Sequence, residues 1–247
     1  MPASGASRQF LRTDLWNEWA EMETDQRLRL PPPPPEKPCP EGARLLDLVA
    51  PEKLTVGQLP VLQAIARRHS RRSYSGQALT LEELSFLLWA TQGLRGASRH
   101  AFARTVPSAG ARHPLETYIL VFRVEGLETG LYRYLPLHHR LCHLLSDPEL
   151  ALKLVSASLG QPFVAEGAAT FAWTAIPYRT EWRYAAISPK LIALDAGHVC
   201  QNLYLACEAI GAGTCAIGAY DQRQMDALLG VDGSEEFTVY LAPVGKV

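Results

Sequence analysis

The chain has 247 residues, with 20% charged and 47% apolar side chains and a formal net charge of −1. That balance argues against a general nucleic-acid or membrane-surface protein, and no apolar run is long enough to span a bilayer. The length suits one sizeable core, or a core carrying an arm.

The opening residues, Met1 to Arg8, lack the apolar centre of a signal peptide. The five cysteines (Cys39, Cys142, Cys200, Cys207, Cys215) are odd in number and form no C-x-x-C pair. They predict neither a disulfide framework nor a structural zinc site, and the protein reads as cytoplasmic.

In chain order, residues 8–30 carry Phe10, Leu11, Leu15, Trp16 and Trp19 among charges and predict a short amphipathic helix. Pro31 to Pro35 then impose polyproline II geometry. Residues 1–42 read as an arm with a stiff linker, and residues 43–247 as the folded domain, its first helix at about 58–68. Thr80-Leu-Glu-Glu83 has the form of a capping box, opening a helix that Gly93 stops. Residues 94–106 read as a surface loop. Glu116 to Val124 predicts a strand buried on both faces, and Gly130–Tyr134 with Arg140–Leu145 a hairpin. Asp147-Pro148-Glu149 opens a helix, and Ala168–Ile176 is a strand. Leu191–Ile210 is a long helix, apolar around most of its circumference, of the kind found inside a core or at a subunit interface. Its polar stripe (Asp195, His198, Asn202) requires partners there, with His198 read as an interior histidine. A short helix follows Asp221, and Thr238–Ala242 closes the chain as a strand. The hairpin interrupts any regular βαβ alternation, so the fold class is α+β, a mostly antiparallel sheet flanked by helices.

Three segments stand out. Arg67-Arg68-His69-Ser70-Arg71-Arg72-Ser73-Tyr74 crowds four guanidiniums together, an arrangement suited to an anion such as phosphate or else to a solvated turn. Pro107-Ser-Ala-Gly-Ala-Arg-His-Pro114 precedes a strand, and Gly211-Ala-Gly-Thr-Cys-Ala-Ile-Gly-Ala219 follows the long helix. Small residues let a ligand approach main-chain amides, although a glycine pair after a helix can equally be a stop and a tight turn. His138, His139 and His143 bracket a hairpin and are not read as a metal site. Tyr178, Trp182 and Tyr184 either wall a substrate or fill core.

Taken together and in this order, the three segments resemble the FMN-dependent nitroreductase family. Arg68-His69-Ser70-Arg71-Arg72-Ser73-Tyr74 matches its Arg-x-Ser-x-Arg-x-aromatic signature, Pro107-Ser108 its Pro-Ser segment, and Gly211 to Gly218 its Gly-x-Gly-Thr-x-x-Ile-Gly signature. More narrowly, Pro107 to Glu116, Gly130-Leu-Tyr-Arg-Tyr134 and Asp195 to Tyr204 look like the SagB-type dehydrogenase branch, whose members oxidise azolines to azoles in peptide natural products.

The resemblance implies a homodimeric flavoprotein with FMN at the interface and a long buried helix there, no nucleic-acid or membrane partner, and no obligatory protein nucleophile. Carried over by position, Arg68, His69, Ser70 and Arg72 hold the phosphate and ribityl chain. Pro107, Ser108, Ala109 and Gly110 line the ring from the other subunit. Ile217, Gly218 and Ala219 run past the isoalloxazine, with a main-chain amide near its N5, and Gly213 and Thr214 also bind the cofactor. The implied reaction is ping-pong, two-electron transfer from NAD(P)H to a nitroaromatic, quinone or similar acceptor. The alternatives are azoline oxidation on a peptide substrate, or a non-catalytic flavin-binding subunit. Two departures matter. The chain stops at Lys246-Val247 where relatives continue with a basic phosphate-binding segment, so Lys246 or the arginine cluster alone would take that role. The Lys-Tyr pair of azoline oxidases aligns with Arg183-Tyr184, and arginine is a poor base, though it can orient an acidic substrate.

Overall fold

The computed structural model describes residues 8–12, 14–95 and 103–247. Seven strands form one sheet: β1 (Leu45–Asp47), β2 (Leu115–Val121), β3 (Gly130–Leu135), β4 (Arg140–Leu145), β5 (Ala169–Ala175), β6 (Ala212–Thr214) and β7 (Phe237–Lys246). Their order is β1-β4-β3-β2-β5-β7-β6, and every neighbouring pair is antiparallel.

Helices cover both faces, which is why β2 and β5 are buried along their whole length. Alternation on β2 sends Ile119 and Val121 to one side and Tyr118 and Leu120 to the other. The first side packs on α2 (Leu81–Gln92) and the long α6 (Ser188–Glu208). The second packs on α3 (Leu150–Ala157) and α7 (Gln222–Leu229). The remaining helices are α1 (Val61–Arg67), α4 (Phe163–Glu166) and α5 (Tyr178–Tyr184). The α+β reading of the sequence therefore holds, and the Thr80–Glu83 capping box forms with both of its bonds.

Several sequence expectations need correction. Residues 8–30 do not make one helix. A 3₁₀ turn spans Asp14–Asn17, and the Arg27 guanidinium collects the carbonyls of Trp19, Ala20 and Met22, which a continuing helix would have used internally. The helix expected at Pro148 begins at Leu150, because Asp147 accepts the Glu149 amide and holds a turn first. His198 is exposed rather than interior, on a stripe of α6 with Leu194, Gly197 and Gln201. Part of the loop expected at 94–106 lies outside the described residues; the rest pairs Leu94 with Arg104. No helix among the described residues is long and apolar enough to cross a membrane.

The residues read as an arm lie against the body from Asp25 to Pro38. Gln26 donates to the Trp182 carbonyl (2.8 Å), and the Trp182 indole donates to Leu30 (3.1 Å). Prolines leave their carbonyls without neighbouring donors, and two buried arginines supply them: Arg104 to Pro35 (2.8 Å) and Arg133 to Lys37 and Pro38 (2.9 and 2.7 Å). Beneath this strip, Glu116 accepts the Lys37 amide and pairs with Arg179 at 2.5 Å, their side chains 2% and 3% exposed.

Candidate active site

The basic turn is built by the end of α1. Beyond Arg68 the chain is extended and runs along the sheet edge: Ser70 pairs with Thr214, Arg71 donates to the Thr214 carbonyl (2.9 Å), and Ser75 donates to Lys246 (2.8 Å). This close approach explains two glycines. A Cβ at Gly213 would sit 2.4 Å from the Arg71 side chain, and one at Gly245 2.7 Å from the Tyr74 ring.

Within the turn the charges divide. Arg71 turns inward and pairs with Glu208 at 3.3 Å. Arg68 and Arg72 meet no carboxylate and lie instead over the rings of Tyr204 (5.4 Å) and Phe163 (5.8 Å). The Ser70 hydroxyl shares a 2.9 Å bond with the Tyr204 hydroxyl, which accepts the Ala216 amide at 2.8 Å. The Thr214 hydroxyl is buried with no partner among the described residues. Arg68, Ser70 and Thr214 thus gather around Tyr204 and the adjoining Gly213, while the Arg72 guanidinium points to Phe163. The His69 ring folds back to donate to the Arg67 carbonyl (2.8 Å).

Lys246 does not join them. It pairs with Glu83 and donates to the Ile210 carbonyl at 2.7 Å, so its charge is used at the ends of α2 and α6.

From Thr214 the chain passes Ala216 to a bridge in which Ile217 and Leu241 exchange both backbone bonds (2.8 and 3.1 Å). The Ile217 amide is therefore committed. Those of Gly218 and Ala219, both exposed, have no partner among the described residues. Past Gly218 opens a cavity of about 730 Å³, walled by Ile192, Ala196 and Gly197 of α6 and by Phe237, Val239 and Tyr240 of β7. At its rim, burial and the nearby Glu235 push the Glu181 carboxyl above its usual range.

Pro107–Gly110 sits elsewhere. Asp195 of α6 accepts the Ser108 hydroxyl (2.5 Å) and the Ala109 amide (3.2 Å), and Ser108 in turn accepts the His113 amide (2.8 Å). Burial raises the Asp195 carboxyl, and the bonds from Ser108 and Ala109 oppose the rise. The turn is tight: φ is positive at Gly110 (56°), Ala111 (54°) and His113 (48°). The imidazole of His113 is held down to about 3 by burial and by the arginines around it, Arg104 first, so it stays neutral. Arg183 and Tyr184 flank Gly110, where a Cβ would meet the Tyr184 hydroxyl at 2.7 Å. Asp195 precedes Tyr204 by nine residues on α6, roughly 14 Å along the axis. One chain does not join this corner to the basic turn.

The Nitroreductase family model matches residues 65–246. The chain belongs to the nitroreductase family. It is an oxidoreductase of that family, and a nitroreductase-designated protein of Methanocaldococcus jannaschii is 34% identical over 191 residues, covering 77% of this chain and 93% of the relative. The trifolitoxin-processing protein TfxB of Rhizobium leguminosarum bv. trifolii is 34% identical over 112 residues, covering 44% of this chain and 30% of TfxB. The fold is shared with a nitroreductase-designated structure from Ralstonia eutropha (TM-score 0.68, 24% identity, 86% of this chain and 94% of that one). It is also shared with a chain of the Escherichia coli microcin synthetase McbBCD complex with truncated pro-MccB17 bound (TM-score 0.61, 19% identity, 82% of this chain and 78% of that one). Membership in the nitroreductase family was legible in the three segments. The roles of Asp195, Tyr204 and Glu208 as supports were not, because nothing in helical spacing says which ligand segment each residue will hold.

Proposed function

We propose that this protein is a homodimeric FMN-dependent oxidoreductase that passes two electrons from NAD(P)H to an electron-poor acceptor. The observation that carries the reading is Arg68, whose guanidinium shares Tyr204 with Ser70 next to the orphaned Thr214 hydroxyl, with Arg72 four residues on; neither arginine meets a carboxylate among the described residues. Such a set fits a phosphate, since guanidiniums and hydroxyls make strong charge-assisted bonds to it. The neighbouring cavity has the volume and apolar walls that a planar aromatic cofactor requires.

FMN bound there would supply the two-electron redox chemistry. The chain's own residues have simpler tasks. Arg68, Ser70 and Arg72 anchor the phosphate, and the exposed amides of Gly218 and Ala219 offer donors to the ring. Asp195 fixes the turn of Pro107–Gly110 so that a second copy can present it to the ring of the first. Apolar side chains left open on α1 (Val61, Leu62 and Ile65, at 68%, 77% and 59% exposure) support a dimer, as does the exposed Leu194 stripe of α6.

The purified protein is expected to be yellow and to bleach within seconds on anaerobic addition of NAD(P)H. Ser70→Ala with Arg72→Ala should weaken FMN by 100-fold or more, on the order of 3 kcal/mol for two such bonds. A colourless, monomeric protein whose melting temperature ignores added FMN would overturn the reading. The likeness to TfxB favours a second reading, oxidation of a peptide azoline. Flavin that is indifferent to NAD(P)H, with azole formed on a cyclised peptide, would select it.

A further inference from the structure

Arg112 and Arg183 are two half-buried guanidiniums on either side of Gly110. The Arg112 guanidinium lies over the Trp182 ring at 5.1 Å and that of Arg183 over the Tyr184 ring at 5.4 Å. Stacking of this kind fixes the plane of a guanidinium and leaves its N–H edge available.

Neither has a carboxylate partner, although every aspartate and glutamate of the chain lies among the described residues. Arg112 makes one bond, Nε to the Gly110 carbonyl at 3.1 Å; Nε of Arg183 is buried with no partner, and the Tyr184 hydroxyl has none either among the described residues. Burial and then the Arg183 charge lower the Arg112 value. Like charges are brought together here on a strained turn, with α6 holding that turn through Asp195. The buried Arg179, by contrast, has Glu116 at 2.5 Å.

We propose that Arg112, Arg183 and Tyr184 form an oxyanion subsite that receives a carboxylate on the electron acceptor. The assignment rests on the reading of Pro107–Gly110 as the wall of a flavin pocket, since that wall puts the subsite at the pocket's edge. Two stacked guanidiniums and a phenol match a planar carboxylate, which accepts from several donors in one plane. The missing side chain at Gly110 lets Tyr184 and Arg183 close directly on the turn, because a Cβ there would lie 2.7 Å from the Tyr184 hydroxyl and 2.9 Å from Arg183 Cδ.

Calorimetric titration of the protein as purified, with benzoate and with its neutral counterpart benzamide, tests this apart from turnover. Flavin content and melting temperature are recorded for each variant. Benzoate is expected to bind at least tenfold more tightly than benzamide, and Arg112→Gln with Arg183→Gln to erase the difference. Arg183→Lys, which keeps the charge and loses the fork, should retain only part of it. Equal affinities in the flavin-loaded wild type would overturn the subsite and leave the flavin reading intact. So would discrimination unchanged in a folded double variant. A double variant that keeps the benzoate preference but loses one for NADPH over NADH would reassign the arginines to a nucleotide phosphate, ending the carboxylate assignment. A colourless wild type that still prefers benzoate, with the preference lost in the double variant, would sink the flavin reading alone.

Discussion

The seam beneath residues 25–38 and the basic turn at 68–72 are both rich in arginine, yet they handle charge in opposite ways. In the seam, Arg179 has Glu116, Lys37 has Glu236, and Arg104 and Arg133 are given carbonyls of the proline strip. Each of these four cations has a partner within the chain. In the turn only Arg71 is answered, by Glu208, and Arg68 and Arg72 remain for something else. Internally paired charge marks where the fold is held, and unpaired charge on a rigid support marks where a ligand belongs.

The largest effect should come from unpairing the seam. Glu116→Ala leaves the Arg179 guanidinium buried alone and removes the acceptor of the Lys37 amide, and should cost about 3–5 kcal/mol in chemical denaturation. A loss below about 1 kcal/mol would erase the contrast between the two regions. Acid should come next. His113 is held near 3 while an unfolded imidazole titrates near 6.5, so the unfolded chain takes up the proton first and stability falls as pH drops between those values. At pH 4 the cost is on the order of 3 kcal/mol, and burial lowers His139 in the same direction. Asp195, raised by burial, works the other way as acid is added. The difference between wild type and His113→Gln across pH 4 to 7 isolates the histidine; parallel curves would remove its role.

Gly213→Ala should be smaller, about 1–3 kcal/mol, because the new methyl meets the Arg71 stem and must displace it from Glu208. Its affinity for FMN should fall as the turn shifts. Smallest of all, Arg68→Ala with Arg72→Ala should change the stability of the flavin-free protein by about 1 kcal/mol, from two ring contacts worth about 0.5 kcal/mol each at the low end for exposed sites. A larger loss would make the turn structural.

The seam is also where the sequence was least legible. Pro31 to Pro35 declares its own geometry, but nothing local says that Arg104 and Arg133, some 70 and 95 positions later, will reach the carbonyls of Pro35, Lys37 and Pro38. Strand β1 was missed because three residues carry no period of their own, and β6 because Ala212-Gly-Thr214 reads as a turn until Lys246, Gly245 and Val244 pair with it. The capping box of α2 and the buried strand β2 were legible because each is decided by neighbours in the chain. The residues proposed to face a ligand stood out in the sequence and their supports did not: Ser70 was recognisable, its bond to Tyr204 was not.

The proline strip carries one consequence for how the protein is made. Residues 25–38 leave the ribosome long before Arg104, Arg133 and Trp182, the groups that receive them, have been synthesised. This segment must therefore wait for them and settle after the sheet has closed beneath it.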